Sequence, residues 1–398
     1  MKEVLYSCQS RDRASSHFRI LAVSIHNLKY PFHGSARLQL SMLGALSLTG
    51  SRIVYLNVAS NASSMEEVPV ISRYGVASFK QANLSGTISQ NQIKYLRVMP
   101  AVKDILNYTD PNIILCFSRQ TFLLCKMLSL KLNIPLVTLH DAMRYLYVNQ
   151  LIRASLLGAK EVPSALLALP FYVATTLASN ASIAVSENIK SSFGSLINRR
   201  IHVVRPTFML LNDAHDTPSE KLSKLDELPE ELVLYSGPLG TLRYIASKTP
   251  NINYVITGPS AYYAKLSGLN NFSNIYLVHN ISDQLLSKLH DKIALAIIIR
   301  NVMTGISMTA IQELYFGKPL LTNAVALQGL EELKHQGIAN VSDDVLKLTS
   351  CLGEVLKNKR LREELEHKSL NFFDKHLSPF IFAKNMYSVL RELLARQA

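Results

Sequence analysis

The stretch Val302–Asn323, VMTGISMTAIQELYFGKPLLTN, decides the fold, because it reads as a turn, a short amphipathic helix and a strand in that order. Gly305 opens the turn. The hydroxyls of Ser307 and Thr309 suit a helix start, where they accept hydrogen bonds from amides that have no partner inside the helix. Gly317 ends the helix, as glycine does at a left-handed terminal position. Pro319 then forces an extended exit into the apolar run LLTNAVAL. A helix N-terminus at the mouth of a sheet is a ready anion site. The amides of Gly305, Ile306, Ser307, Met308 and Thr309 are therefore expected to cradle phosphate, and the carboxylate of Glu313, one or two turns on, can grip a sugar hydroxyl.

Outward from this stretch, apolar strand-like runs alternate with helical patterns along the whole chain, which predicts an α/β protein built on parallel sheets. Strands are expected at Arg19–Ile25, Ser51–Asn57, Asn112–Phe117, Pro135–Leu139, Ala181–Val185 and His202–Val204. After a polar stretch, Leu211–Glu231, punctuated by Pro218 and Pro229, a second series follows at Glu231–Tyr235, Asn253–Thr257, Ile275–His279, Ala294–Ile299 and Leu320–Asn323. Asp343–Phe373 reads as charged, periodic helix. At 398 residues the chain exceeds one ordinary core. We expect a flexible segment 1–17, an N-terminal domain 18–210, a linker 211–231 and a C-terminal domain 232–378, with a last helix 379–398 returning to the first domain.

The helix ending Glu313-Leu314-Tyr315-Phe316-Gly317-Lys318-Pro319-Leu320-Leu321 resembles the donor-binding segment of retaining GT-B glycosyltransferases of the family 4 type. The resemblance implies two doubly wound, Rossmann-like domains facing one another across a cleft. It also implies transfer of a sugar from a nucleotide-diphosphate sugar to an acceptor hydroxyl, with no cofactor beyond that co-substrate and no bound metal. The family's segment carries two glutamates eight positions apart. Eight positions before Glu313 stands Gly305, so the first glutamate is missing.

Other positions of this chain resemble the family's site. His140 and Asp141, directly after the strand Pro135–Leu139, match a histidine near the transferred sugar and carry the expected catalytic role. Gly34, in the loop Pro31-Phe32-His33-Gly34-Ser35, matches a glycine near the donor phosphates. Gly237, after the strand ELVLY, matches another. Arg243 stands nearest the family's diphosphate-neutralising pair. Arg300, at the end of ALAIIIR, is placed to contact phosphate where the family has Pro-Ser. Ser186, opening a helix, is read as a simple N-cap.

Composition narrows the partners. Lys and Arg total 42 against 29 Asp and Glu, a formal charge of +13 spread along the chain. Without a zinc-finger spacing, an RNP-like motif or a long basic block, nucleic acid is not an expected partner. A phosphorylated substrate, a glycan or lipid-linked acceptor and peripheral contact with an anionic membrane fit better. The four cysteines, Cys8, Cys116, Cys125 and Cys351, have no CxxC spacing, which points to a reducing cytoplasm. The N-terminus shows no apolar core of a signal peptide. Ala165–Ala178, ALLALPFYVATTLA, is too short to span a bilayer, is interrupted by Pro170, and reads as a buried helix or helix pair, with a membrane-dipping segment as the alternative. Two other readings remain open: a GT-B-shaped scaffold whose site has decayed, and a nucleotide-sugar epimerase, for which the strand ends supply no obvious carboxylates.

Overall fold

The structure is a computed structural model and describes residues 18–26, 28, 34–60, 64–85, 102, 106, 110–117, 119–141, 168–193, 197, 201–211, 225–279, 281–303 and 305–396. Residues 1–17, the loop residues 31–33, residues 165–167 and the middle of the expected linker, 212–224, lie outside it.

The first domain runs β1 (Arg19–Ser24), α1 (Gly34–Leu48), β2 (Arg52–Ser60), β3 (Ser64–Ser72), β4 (Gly75–Ser85), β5 (Ile113–Cys116), α2 (Phe122–Leu132), β6 (Leu136–His140), α3 (Ala168–Ala178), β7 (Ala181–Ala184), α4 (Glu187–Ser191), β8 (Ile201–Val203) and β9 (Leu210–Leu211). Its nine strands lie in the order 8-7-6-5-1-2-4-3-9. The central strand β1 pairs in parallel with β2 on one side and β5 on the other. Covered on both faces, its middle, Ile20–Val23, is a continuous apolar run rather than an alternating one.

The second domain runs β10 (Leu232–Ser236), α5 (Leu239–Lys248), β11 (Tyr254–Thr257), α6 (Pro259–Leu266), β12 (Ile275–Val278), α7 (Asp283–Lys292), β13 (Ile293–Ile298), α8 (Met308–Tyr315), β14 (Leu320–Thr322), α9 (Glu332–His335), β15 (Ala339–Val341), α10 (Val345–Lys357), α11 (Lys359–Phe372) and α12 (Pro379–Ala395). Its strands are all parallel, in the order 12-11-10-13-14-15. Strand order reverses between β1 and β5 in one sheet and between β10 and β13 in the other. Ligands of doubly wound sheets bind at such points, beyond the carboxyl ends of the strands.

Three features differ from the sequence reading. First, β3 and β4 form an antiparallel hairpin across Arg73-Tyr74, and β3 also pairs antiparallel with β9, so this edge of the first sheet is not parallel. Second, the long helix expected over Asp343–Phe373 is broken at Asn358, whose side chain caps α11 by accepting from the Leu361 amide at 3.0 Å. Third, the polar stretch Leu211–Glu231 is not all linker: Leu211 belongs to β9, and Leu225 is buried.

One buried apolar cluster runs through both domains, joining α1 and β1 to β10, α8 and α12. Tyr387 of α12 stacks beside Phe18 and shares hydrogen bonds with Thr49 and Ser51, which ties α12 to the first domain. Arg37 of α1 meets Asp283 at the start of α7 through two parallel N–H···O bonds of 2.5 Å. Arg37 also donates to the Met209 carbonyl, and Asp283 accepts from the Leu211 amide. Arg73 adds a second crossing, donating to the Tyr315 carbonyl and pairing with Asp374.

The Asp283 side chain is 3% exposed, so removing it leaves a guanidinium enclosed without its counterion. Asp283→Ala is expected to cost about 3 kcal/mol of stability, read as a lower denaturant midpoint. A change within about 0.5 kcal/mol would show that the pair is not structural.

Candidate functional site

A cleft of about 320 Å³ opens between the domains. The first domain contributes Gly34, Ser35 and Leu38 from the start of α1 and Asp141 from the end of β6. The second contributes Arg300 and Met303 beyond β13, the turn Gly305–Ser307, and Met308 and Thr309 at the start of α8. Two helix N-termini therefore face one space, each presenting unpaired amides and the positive end of a dipole.

The α8 terminus is built by its own sequence. Ser307 is the N-cap and accepts from the Ala310 amide at 3.2 Å. The helix stops at Tyr315, and Gly317 follows with φ +73°, where a side chain would meet Leu370 at 2.7 Å. Gly237 is required for a different reason. A Cβ there would lie 2.8 Å from the Tyr235 hydroxyl and 3.0 Å from the Ile299 carbonyl oxygen, so glycine lets β10 and β13 end side by side.

Arg300 lies across those strand ends. Its guanidinium donates to the Ser236 carbonyl at 2.6 Å and to the Ser236 hydroxyl at 2.8 Å, and its own carbonyl accepts from Asn323 at 2.7 Å. Burial pulls its pKa down. Among the described residues no carboxylate forms an ion pair with it. A half-buried, pre-aligned cation at the sheet's switch point is suited to an anion.

Four of the residues singled out in the sequence do not line this cleft. Glu313 is fully buried, and its carboxylate oxygens stand 3.0 and 3.2 Å from His290 Nε2. His290 Nδ1 donates to the Leu286 carbonyl at 2.7 Å, so the proton on the other side of the ring is shared with the carboxylate. Phe316 stacks on the same imidazole at 3.8 Å. Glu313 pins α8 to α7 and is not presented to a ligand. The helix face that continues from Met308 and Thr309 carries the half-buried Gln312 instead, one turn on.

His140 is also enclosed. Its Nε2 donates to Thr176 Oγ1 at 3.1 Å, since that hydroxyl spends its own proton on the Tyr172 carbonyl, and Phe193 lies 4.9 Å from the ring. Desolvation lowers its pKa to about 4, so it is neutral at pH 7. Arg243 points along the surface and donates to the Ser267 carbonyl at 2.8 Å. Gly237 shapes the strand ends without lining the space. Ser186 is an N-cap, accepting from the Ile189 amide. Among the described residues no group of three His, Cys, Asp or Glu side chains is placed to hold a metal ion. Leu38 and Met303 line the cleft and were not singled out from the sequence, while Ser35 stood in the loop quoted around Gly34. Ser35 and Leu38 follow Gly34 on the same helix, and Met303 lies inside the decisive stretch, so adjacency was the available signal.

No family model matches the chain, and no curated protein does. Solved structures share its fold over nearly its full length. Sucrose-phosphate synthase from Thermosynechococcus elongatus superposes with a TM-score of 0.71 at 14% identity, covering 95% of this chain and 99% of that one. HepE from Anabaena, in complex with UDP and glucose, gives 0.66 at 12% identity, with 94% and 100% covered. The α,α-trehalose 6-phosphate synthase of Burkholderia multivorans gives 0.61 at 13%, with 96% and 100% covered. The chain has the GT-B fold.

Two outcomes check this geometry. Between about pH 6.5 and pH 4 the unfolded chain binds a proton at His140 that the folded chain refuses, so stability falls as the pH falls through this window. His140→Gln should flatten that limb by on the order of 3 kcal/mol, measured by denaturant unfolding at stepped pH. An unchanged slope would place His140 in contact with water. Glu313→Ala should cost about 3 kcal/mol of stability, whereas Glu313→Gln, which keeps the side chain between α7 and α8, should leave any ligand affinity of the cleft within about twofold. A large loss of affinity at unchanged stability would return the carboxylate to the ligand.

Proposed function

We propose that this chain is a glycosyltransferase that moves a sugar from a nucleoside-diphosphate sugar to an acceptor hydroxyl. The observation that carries the reading is the convergence of Arg300 and the N-termini of α1 and α8 on one interdomain cleft. The amides of Ser307–Thr309 and the Arg300 fork would take the diphosphate, with Gly34 leaving room for its close approach. Gln312 would accept from the ribose hydroxyls. Asp141, across the cleft, would orient the sugar or the incoming hydroxyl.

In the proposed step the bond from the anomeric carbon to the β-phosphate oxygen breaks and the acceptor oxygen bonds to that carbon. The acceptor proton passes to the departing phosphate oxygen, and attack from the same face retains configuration. Charge on the leaving group would be met by fixed dipoles and a cation, without a metal. Since HepE was solved with UDP and glucose, uridine is the first base to test and a hexose the first sugar. The enclosure of His140 and the missing first glutamate favour a second reading, a nucleotide-binding GT-B protein without transfer activity.

Thermal shift against UDP, GDP, ADP, dTDP and their sugar conjugates tests both. One nucleotide should stabilise selectively, by about 2.7 kcal/mol at a hundred times its Kd. Arg300→Lys, which keeps the charge and loses the fork, should weaken that binding roughly tenfold. Stabilisation by none of them overturns the donor site. Binding without turnover of any sugar conjugate supports the second reading.

A further inference from the structure

We infer that the outer face of α2 and α3 docks on an anionic lipid surface. The two helices lie side by side: Lys126 Nζ donates to the Ala178 carbonyl at 2.8 Å, and the Phe122 and Phe171 rings meet edge to face at 6.5 Å. Helices that cover a sheet in water turn apolar residues inward and polar ones outward. α3 does the reverse. Its polar residues Thr175 and Thr176 are buried, with their hydroxyls turned back onto the Tyr172 carbonyl. Among its residues with described side chains, the exposed positions, Pro170, Ala174, Leu177 and Ala178, recur at helical spacing and are apolar. On α2 the exposed residues Leu123 and Leu130 are seven apart, on one stripe with Lys126 between them. Leu130 is 69% exposed and Leu177 50%.

The charge on this face names the occupant. Neither helix contains an Asp or Glu, while α2 carries Lys126 and the exposed Lys131. A second copy of the same face would bring lysine to lysine with no acid to answer it. An anionic headgroup layer answers both lysines and accepts the leucines below them, as interfacial helices do. No helix among the described residues is long and apolar enough to cross a membrane, so the contact lies on the surface. The inner face of α3 walls in His140, the neighbour of Asp141 at the cleft, so docking here would hold the first domain's side of the cleft close to the lipid.

Co-sedimentation of the full chain with phosphatidylcholine vesicles, with and without phosphatidylglycerol, tests this. Binding should require phosphatidylglycerol. It should weaken about fivefold in Lys131→Gln and on the order of a hundredfold in the double variant Leu130→Glu/Leu177→Glu. These side chains are exposed, so the variants should unfold at the parent's midpoint and keep its nucleotide affinity. Equal binding to neutral vesicles, binding unaffected by the variants, or no binding would overturn the inference. So would a concentration-dependent dimer in sedimentation velocity that the double variant abolishes, which would assign the face to a second copy.

Discussion

Helix α7 is the strut on which the cleft depends. At its start Asp283 holds Arg37, one turn inside α1; at its end His290 holds Glu313 of α8. Seven residues of helix separate the two anchors, a rise of about 10 Å. That fixed length joins the helix that begins at Gly34 to the helix that begins at Met308, and both N-termini line the cleft. An anion site assembled from two domains needs such a brace, because a displacement of about an ångström weakens every hydrogen bond to the ligand.

Burial makes both anchors strong in one direction only. Each is an ionic or proton-sharing pair enclosed by apolar side chains, so losing one partner costs more than forming the pair gains. Phe316 stacked on His290 and Phe208 beneath the Arg37 guanidinium exclude water from the two joints. The nearby crossing by Arg73, laid over Tyr315 and Phe373, repeats the design at the other end of α8. The second domain is thus seated on the first by cations packed against rings, with the cleft left at the carboxyl ends of both sheets.

Much of this architecture was legible in the sequence. Central parallel strands buried on both faces write themselves as unbroken apolar runs, and the strands holding ILAV, IILC and IALAII were each found within a residue or two. Gly305, Ser307 and Gly317 marked both ends of α8. The β3–β4 hairpin was missed because its half-exposed strands mix Glu66, Glu67 and Lys80 with Val68, Val70 and Phe79. The direction of Glu313 was misread although its phase was present: Ala310, Glu313, Leu314 and Gly317 share one helical stripe, the buried one. His140 and Asp141 were read as a pair, yet successive residues at a strand end point to opposite faces, and only Asp141 reaches the cleft. Residue type was visible; the partner that claims it, His290 or Thr176, comes from distant parts of the chain.

The central claim is that a diphosphate belongs at the start of α8 beside Arg300. A crystal structure of the chain with UDP tests it most directly. The account predicts phosphate oxygens within hydrogen-bond distance of the Ser307–Thr309 amides and of the Arg300 guanidinium, with Glu313 still paired to His290. A diphosphate bound elsewhere, or one held by Glu313 released from His290, would contradict it.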